Sequence, residues 1–191
     1  MRRWLTFAAV VGMVLLGGSP AWAQDDDGRG RAAYNWALAV GAGLVEPGDQ
    51  TETYLMAALR IRLGRGDDED GRDRSFQGYL EPEVGYWESS NDPNNGSDLL
   101  VGVNLVGAFP FAAAESFLGV GVGAHFIDES VLTGDPTLED SATKLGVNTQ
   151  FGLDLHLTRS VSAFGTGRFD LVQGARENIQ SKIYLGLRAR F

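Results

Sequence analysis

His125 stands in the segment Gly123-Ala-His-Phe-Ile-Asp-Glu-Ser130, with a serine and two carboxylates within five residues. A hydroxyl, an imidazole and an acid are the parts of nucleophilic hydrolysis: the imidazole takes the hydroxyl proton and the acid orients the ring. The spacing does not assemble them, because Ser130 lies five residues away on a stretch read as loop. His125 is instead expected as a hydrogen-bonded interior residue. His156 follows Asp154 by two residues, which on a strand puts both on one side. A metal site would need further nitrogen or sulfur ligands, so a hydrogen-bonded pair is expected and no metal. Asp67-Asp-Glu-Asp-Gly71 has the acid density of a calcium loop. Gly66 takes the place of its first acid and Gln77 that of its closing glutamate, so a solvated turn is expected. Gly119-Val-Gly-Val-Gly123 lies within a strand and opens no helix, so it is not a dinucleotide fingerprint. Nucleophile elbows, phosphate loops and zincin motifs do not occur. Neither a catalytic residue nor a cofactor is expected.

The elements that hold these residues are legible from the two ends inward. Arg2 and Arg3, the apolar run 5–17 and Ala21-Trp22-Ala23 form a secretory signal, expected to be removed before Gln24. Of 16 basic residues the leader holds two, which leaves 14 against 25 acidic ones, a formal charge of −11. Such a chain is a poor nucleic-acid binder. The chain contains 0 cysteines, which excludes disulfide and thiol chemistry. Residues 24–33 read as a flexible periplasmic tail, and 34–191 as one domain. No apolar run after the leader is long enough for a transmembrane helix.

Eight segments alternate with period two: 35–45, 54–64, 76–88, 98–109, 117–127, 144–157, 161–172 and 181–191. The sixth is the cleanest. Leu145, Val147, Thr149, Phe151, Leu153, Leu155 and Leu157 oppose Lys144, Gly146, Asn148, Gln150, Gly152, Asp154 and His156. Each run is long enough for a tilted strand to cross the hydrocarbon, and only closure into a barrel pairs every backbone group there. An even count puts both termini on the periplasmic side. Connections 46–52, 89–97, 128–142 and 173–180 then face outward, and 65–75, 110–116 and 158–160 face the periplasm. Of the last three only 158–160 has the usual brevity.

The less apolar face decides which side of the barrel meets lipid. In the first and fifth segments it is nearly all glycine and alanine, poor choices for a water-facing strand but suited to a narrow, tightly curved lumen. Elsewhere it carries Arg60, Arg62, Lys144, Arg168, Lys182, Arg188 and Arg190 with Glu81, Glu83, Asp154 and Asp170, and His125 and His156 share it. The lumen of an eight-stranded barrel is just wide enough for side chains to fill it, so these charges are expected to pair in a plugged core. Trp36 and Phe191 are expected at the periplasmic rim, and Tyr54 and Tyr86 at the outer one, as interface aromatics.

With its strands placed, the chain resembles the small eight-stranded outer-membrane barrels, the OmpA-type and OmpW-type transmembrane domains. The closing segment Tyr184-Leu-Gly-Leu-Arg-Ala-Arg-Phe191 is similar to the signal that such proteins show to the barrel assembly machinery. It has Tyr184, then Gly186, then Ala189 and Phe191 on one face, although Ala189 stands where a bulkier group is usual. The resemblance implies an all-β, antiparallel, up-and-down barrel in the bacterial outer membrane, in contact with lipid and lipopolysaccharide. It implies no single activity, because the fold hosts structural proteins, adhesins, narrow pores and lipid A-modifying enzymes. The lipid A 3-O-deacylases use a serine, a histidine and an acid on such a barrel. Their serine follows the histidine by two residues, where this chain has Ile127, and strand parity turns His125 away from the membrane.

A structural or surface-interaction role without catalysis is therefore expected. The alternatives are a narrow pore for small solutes, a lipid A-modifying hydrolase and a secreted soluble ligand-binding barrel. The outward loops hold Glu46, Asp49, Glu52, Asp92, Asp98, Asp128, Glu129, Asp135, Glu139, Asp140 and Glu177 against Arg176. This surface would repel its neighbours, and it could take Ca²⁺ or Mg²⁺ as a bridge to anionic lipopolysaccharide.

Overall fold

Alternating side chains close into a single barrel. The computed structural model describes residues 34–47, 51–63, 76–91, 94–111, 113–131, 138–174 and 179–191. The expected signal 1–23, the tail 24–33 and the acidic turn 67–71 lie outside them. Eight strands follow one another: β1 Trp36–Pro47, β2 Glu52–Leu63, β3 Gln77–Asn91, β4 Asn94–Phe111, β5 Ala114–Val131, β6 Leu138–His156, β7 Val161–Val172 and β8 Ile179–Arg190. Each pairs antiparallel with the next, and β8 returns to β1 in the register Ala37↔Arg190 to Pro47↔Gln180. Closure leaves no edge at membrane depth, which is the condition for crossing lipid with strands. Asn35 and Trp36 lie beside Phe191 at one end of the barrel, the terminal end; the opposite end is the distal end.

The outer wall is apolar and the inside is not. On β6, Leu145 is 68% exposed while Gln150 and Asp154 are 1% and 0% exposed. Val147, Phe151 and Leu153 are exposed with Leu145, and Asn148 is buried. A soluble barrel would reverse this, because it must put its apolar face inside. A belt of leucine, valine and phenylalanine around a charged interior is the arrangement that lipid requires.

Two expectations about length are corrected. Strands β4, β5 and β6 run to 18, 18 and 19 residues, against 12 for β1, β2, β7 and β8. Most of the expected outward connections 89–97 and 128–142 is therefore strand. Beyond the lipid both faces of a strand are solvated, so the hydropathy alternation that marks a strand stops where the membrane stops. The periplasmic connection 110–116 is also shorter than read, since Phe111 already pairs with Ala114.

The luminal glycines have a steric reason beyond curvature. A Cβ on Gly186 would lie 2.6 Å from the tip of the Phe164 ring, and one on Gly123 would lie 2.6 Å from Leu100 Cδ1. One on Gly121 would meet the side chains of Asn104 and Asn148. Each glycine thus makes room for a larger inward residue on a neighbouring strand, as close packing in a narrow lumen requires.

Candidate functional site

The inward residues of six strands meet in the terminal half of the lumen. Arg60 of β2 is fully buried and reaches three carboxylates. Its Nε donates to Glu81 Oε2 at 2.6 Å, and its Nη1 approaches Asp154 Oδ2 at 3.3 Å and Glu115 Oε1 at 3.5 Å. Arg188 of β8 donates to Asp154 and lies 3.5 Å from Glu81 Oε2. Gln150 donates to Glu81 Oε1 at 3.0 Å and accepts from the Tyr184 hydroxyl at 3.4 Å. Aromatic rings close over the guanidiniums: Phe117 lies 4.8 Å from Arg60, and Phe164 lies 4.9 Å from Arg188. Such stacking favours a desolvated cation by about 2 kcal/mol.

A second cluster lies nearer the distal end. Arg168 of β7 grips Asp170 with Nε at 2.9 Å and Nη2 at 2.7 Å, and donates to Glu83 of β3 across the lumen. Lys182 of β8 approaches Asp170 Oδ2 at 3.0 Å and sits 4.8 Å from the Tyr54 ring. Between the two clusters, Met56, Tyr54, Phe164 and Tyr184 pack as an apolar layer. Ion pairs, rings and glycines together occupy the middle of the barrel, and the ion-pair bonds tie β2, β3, β5, β6, β7 and β8 to one another.

His125 belongs to a third, distal group. Its Nδ1 lies 2.8 Å from Asp98 Oδ2, and Gln180 of β8 donates to the same oxygen at 3.3 Å. The imidazole rests against Gly146, where a Cβ would come within 2.8 Å of Nε2. This group has an acid and an imidazole, but it faces inward and is buried. Ser130 lies five residues along β5, about 17 Å of strand rise away. The arrangement is a hydrogen-bonded interior pair and does not present a triad to a lipid substrate.

The sequence-predicted residues divide as follows. Arg60, Glu81, Glu83, His125, Asp154, Arg168, Asp170, Lys182 and Arg188 are buried in the lumen. Arg62, Lys144, His156 and Arg190 are only half-buried, so the interior network does not enclose them. The expected pairing of His156 with Asp154 is replaced: Arg190 donates to His156 Nδ1, and Asp154 is held by Arg60 and Arg188. Asp98, expected in an outward loop, is buried against His125. Tyr54, expected as a rim aromatic, points into the lumen. Of the closing segment, Tyr184 is luminal, Gly186 lies against Phe164, Ala189 pairs with Val161, and Phe191 stacks on Trp36 with ring centres 4.3 Å apart.

Among the luminal residues that the sequence reading leaves out are Glu115, Phe117, Phe164, Asp98 and Gln180. Strand parity was the available signal. Counting back by twos from His125 reaches Phe117 and Glu115, and from Arg168 it reaches Phe164. Among the described residues no group of three or more acids or histidines could hold a metal ion. Glu46, Glu52 and Asp128 lie towards the distal rim, whereas Asp49, Asp92, Asp135 and Glu177 fall outside the described residues.

No family model matches the sequence, and no curated protein matches it. Solved structures do. Neisserial surface protein A superposes with a TM-score of 0.56 at 12% identity, over 82% of this chain and 96% of that one. Ail, the attachment invasion locus protein of Yersinia pestis, gives 0.53 at 11% identity, over 82% and 96%. The outer membrane enzyme PagL gives 0.52 at 15% identity, over 81% and 99%. Surface protein, attachment protein and enzyme share one scaffold, so the likeness establishes the fold and leaves activity to the residues.

Proposed function

We propose, from the premise that the chain is by fold a small eight-stranded outer-membrane β-barrel, that it is a closed scaffold. In this reading it presents its distal end to the surroundings and neither conducts solutes nor catalyses a reaction. The observation that carries the reading is the crossed ionic network of the lumen. Arg60, Arg188 and Arg168 each bond carboxylates on other strands, and with their aromatic partners they span the bore. A solute would have to break several charge-assisted bonds at once, each worth about 1.5–3 kcal/mol.

The pore alternative is tested by planar-bilayer recording with purified, refolded protein. The expected result is no discrete conductance steps above the lipid background. Regular single-channel steps that disappear on heat unfolding would replace the scaffold by a pore. The hydrolase alternative finds no support in the geometry of His125, whose imidazole, bonded to Asp98, is buried and turned inward.

A further inference from the structure

Ser162 of β7 is fully buried at the terminal end of the lumen, and its hydroxyl has no hydrogen-bond partner among the described residues. The register places it directly between His156 of β6 and Arg188 of β8. Arg190 of β8 donates to His156 Nδ1, so its side chain crosses β7 at the level of Ser162. Two more buried donors here are without a partner among the described residues, Arg188 Nε and Arg190 Nε. One hydroxyl and two guanidinium N–H groups therefore stand on adjoining inward positions of β7 and β8. A buried donor left unpaired costs about 1–3 kcal/mol, and more when it is charged. The group calls for an acceptor.

That acceptor has to bring negative charge. Glu81, Glu115 and Asp154 are the buried carboxylates at this end, and Arg60 and Arg188 bond all three. Arg190 has no carboxylate in ion-pair contact among the described residues. Its bond goes to an imidazole that accepts at Nδ1 and is therefore neutral. A guanidinium held out of water without a counter-charge is costly. The cover over the group limits the size of what fills it. Tyr34 lies 5.1 Å from the Arg190 guanidinium and stacks on Tyr79 with ring centres 5.7 Å apart. Both rings are buried. An anionic group on a larger molecule would have to displace them, whereas a single-atom anion would not. Water is the competing occupant. Asp154 Oδ1, two residues before His156 on β6, is an unpartnered acceptor that a water shared with Ser162 would satisfy, but water leaves the Arg190 charge unmatched.

We infer that Ser162 Oγ, Arg188 Nε and Arg190 Nε are the donors of a chloride site at the terminal mouth of the barrel. The bound ion neutralises Arg190 and ties β7 to β8 beside the pair of strands that closes the barrel. The site lies outside the crossed ion pairs of the bore and does not depend on the closed-scaffold reading.

The test uses the full mature barrel folded in detergent micelles, with sodium gluconate replaced stepwise by sodium chloride at constant ionic strength. The urea midpoint is expected to rise and then saturate, as it does when an ion binds only the folded state. Ser162→Ala is expected to raise the half-saturating chloride concentration by about tenfold, the worth of one charge-assisted bond. Ser160→Ala, on the exposed turn before β7, is expected to leave it unchanged. Because the readout is a half-saturation, any change in the baseline stability of a variant does not enter it. In crystals grown in bromide, the anomalous peak is expected between Ser162 and the two guanidiniums. A midpoint that ignores chloride would overturn the inference in favour of water. Equal chloride dependence in S162A and the unsubstituted protein would overturn it in favour of ions on the outer surface, as would a bromide peak elsewhere only.

Discussion

Arg60→Met is expected to destabilise the folded barrel by about 3–5 kcal/mol, the usual cost of removing one partner from a buried ionic group. Arg60 is fully buried between Glu81, Glu115 and Asp154. Without it Arg188 remains against Glu81 and Asp154, and Glu115 loses its bonded cation. Methionine approximates the length of the arginine stem, so the loss reflects charge more than volume. Urea unfolding in phospholipid vesicles, followed by tryptophan fluorescence and by gel mobility, measures it. The double variant Arg60→Met/Asp154→Asn is expected to recover part of the loss, since fewer charges are left without a partner. A single-variant loss below about 1 kcal/mol would mean that water enters the lumen freely and screens the cluster, as it does for surface ion pairs.

Leu185→Arg tests the other side of the wall. Leu185 lies in the middle of β8, between Ala42 of β1 and Gly165 of β7, and is 68% exposed. In a bilayer, arginine at mid-depth on the lipid face costs about 2–4 kcal/mol. The same change on the surface of a water-soluble barrel stays within about 0.5 kcal/mol. The two magnitudes do not overlap, so one unfolding curve in vesicles separates the outer-membrane barrel from its soluble alternative. The expected result is the larger loss, with Leu185→Ala showing that the cost comes from the charge.

These two residues also show why some of the molecule was legible in the sequence and some was not. Strand β7 begins and ends at the expected residues, Val161 and Val172, and the apolar face of β6 is the expected one. Within the membrane, lipid outside and charge inside impose opposite demands on alternate residues, and the demand is written in their types. Past the lipid both faces meet water, and the alternation vanishes. The outer parts of β4, β5 and β6, residues 94–97, 128–131 and 138–142, therefore read as connections. Asp98 and Glu115 were lost for a related reason. Each sits where an expected strand met an expected connection, and a carboxylate there looks like any solvated acid until the register places it. The partners of Arg60 were beyond the sequence altogether. Glu115 and Asp154 lie 55 and 94 residues away and meet the guanidinium only across the lumen. Tyr54, a residue type at home in an interface girdle, is drawn inward instead by the cation of Lys182 and the space over Gly85.

The absence of cysteine gives a clean background for the decisive measurement. Single cysteines introduced in turn at Leu145, Val147, Asn148, Phe151 and Leu153 of β6, each carrying a nitroxide label in reconstituted bilayers, report which side of the strand meets lipid. Labels at 145, 147, 151 and 153 are expected to be relaxed by membrane-dissolved oxygen and shielded from a water-soluble nickel chelate, while the label at 148 is reached by neither. Strong relaxation by the chelate at 147 and 151, in the middle of the wall, would contradict an apolar exterior around a charged and filled lumen.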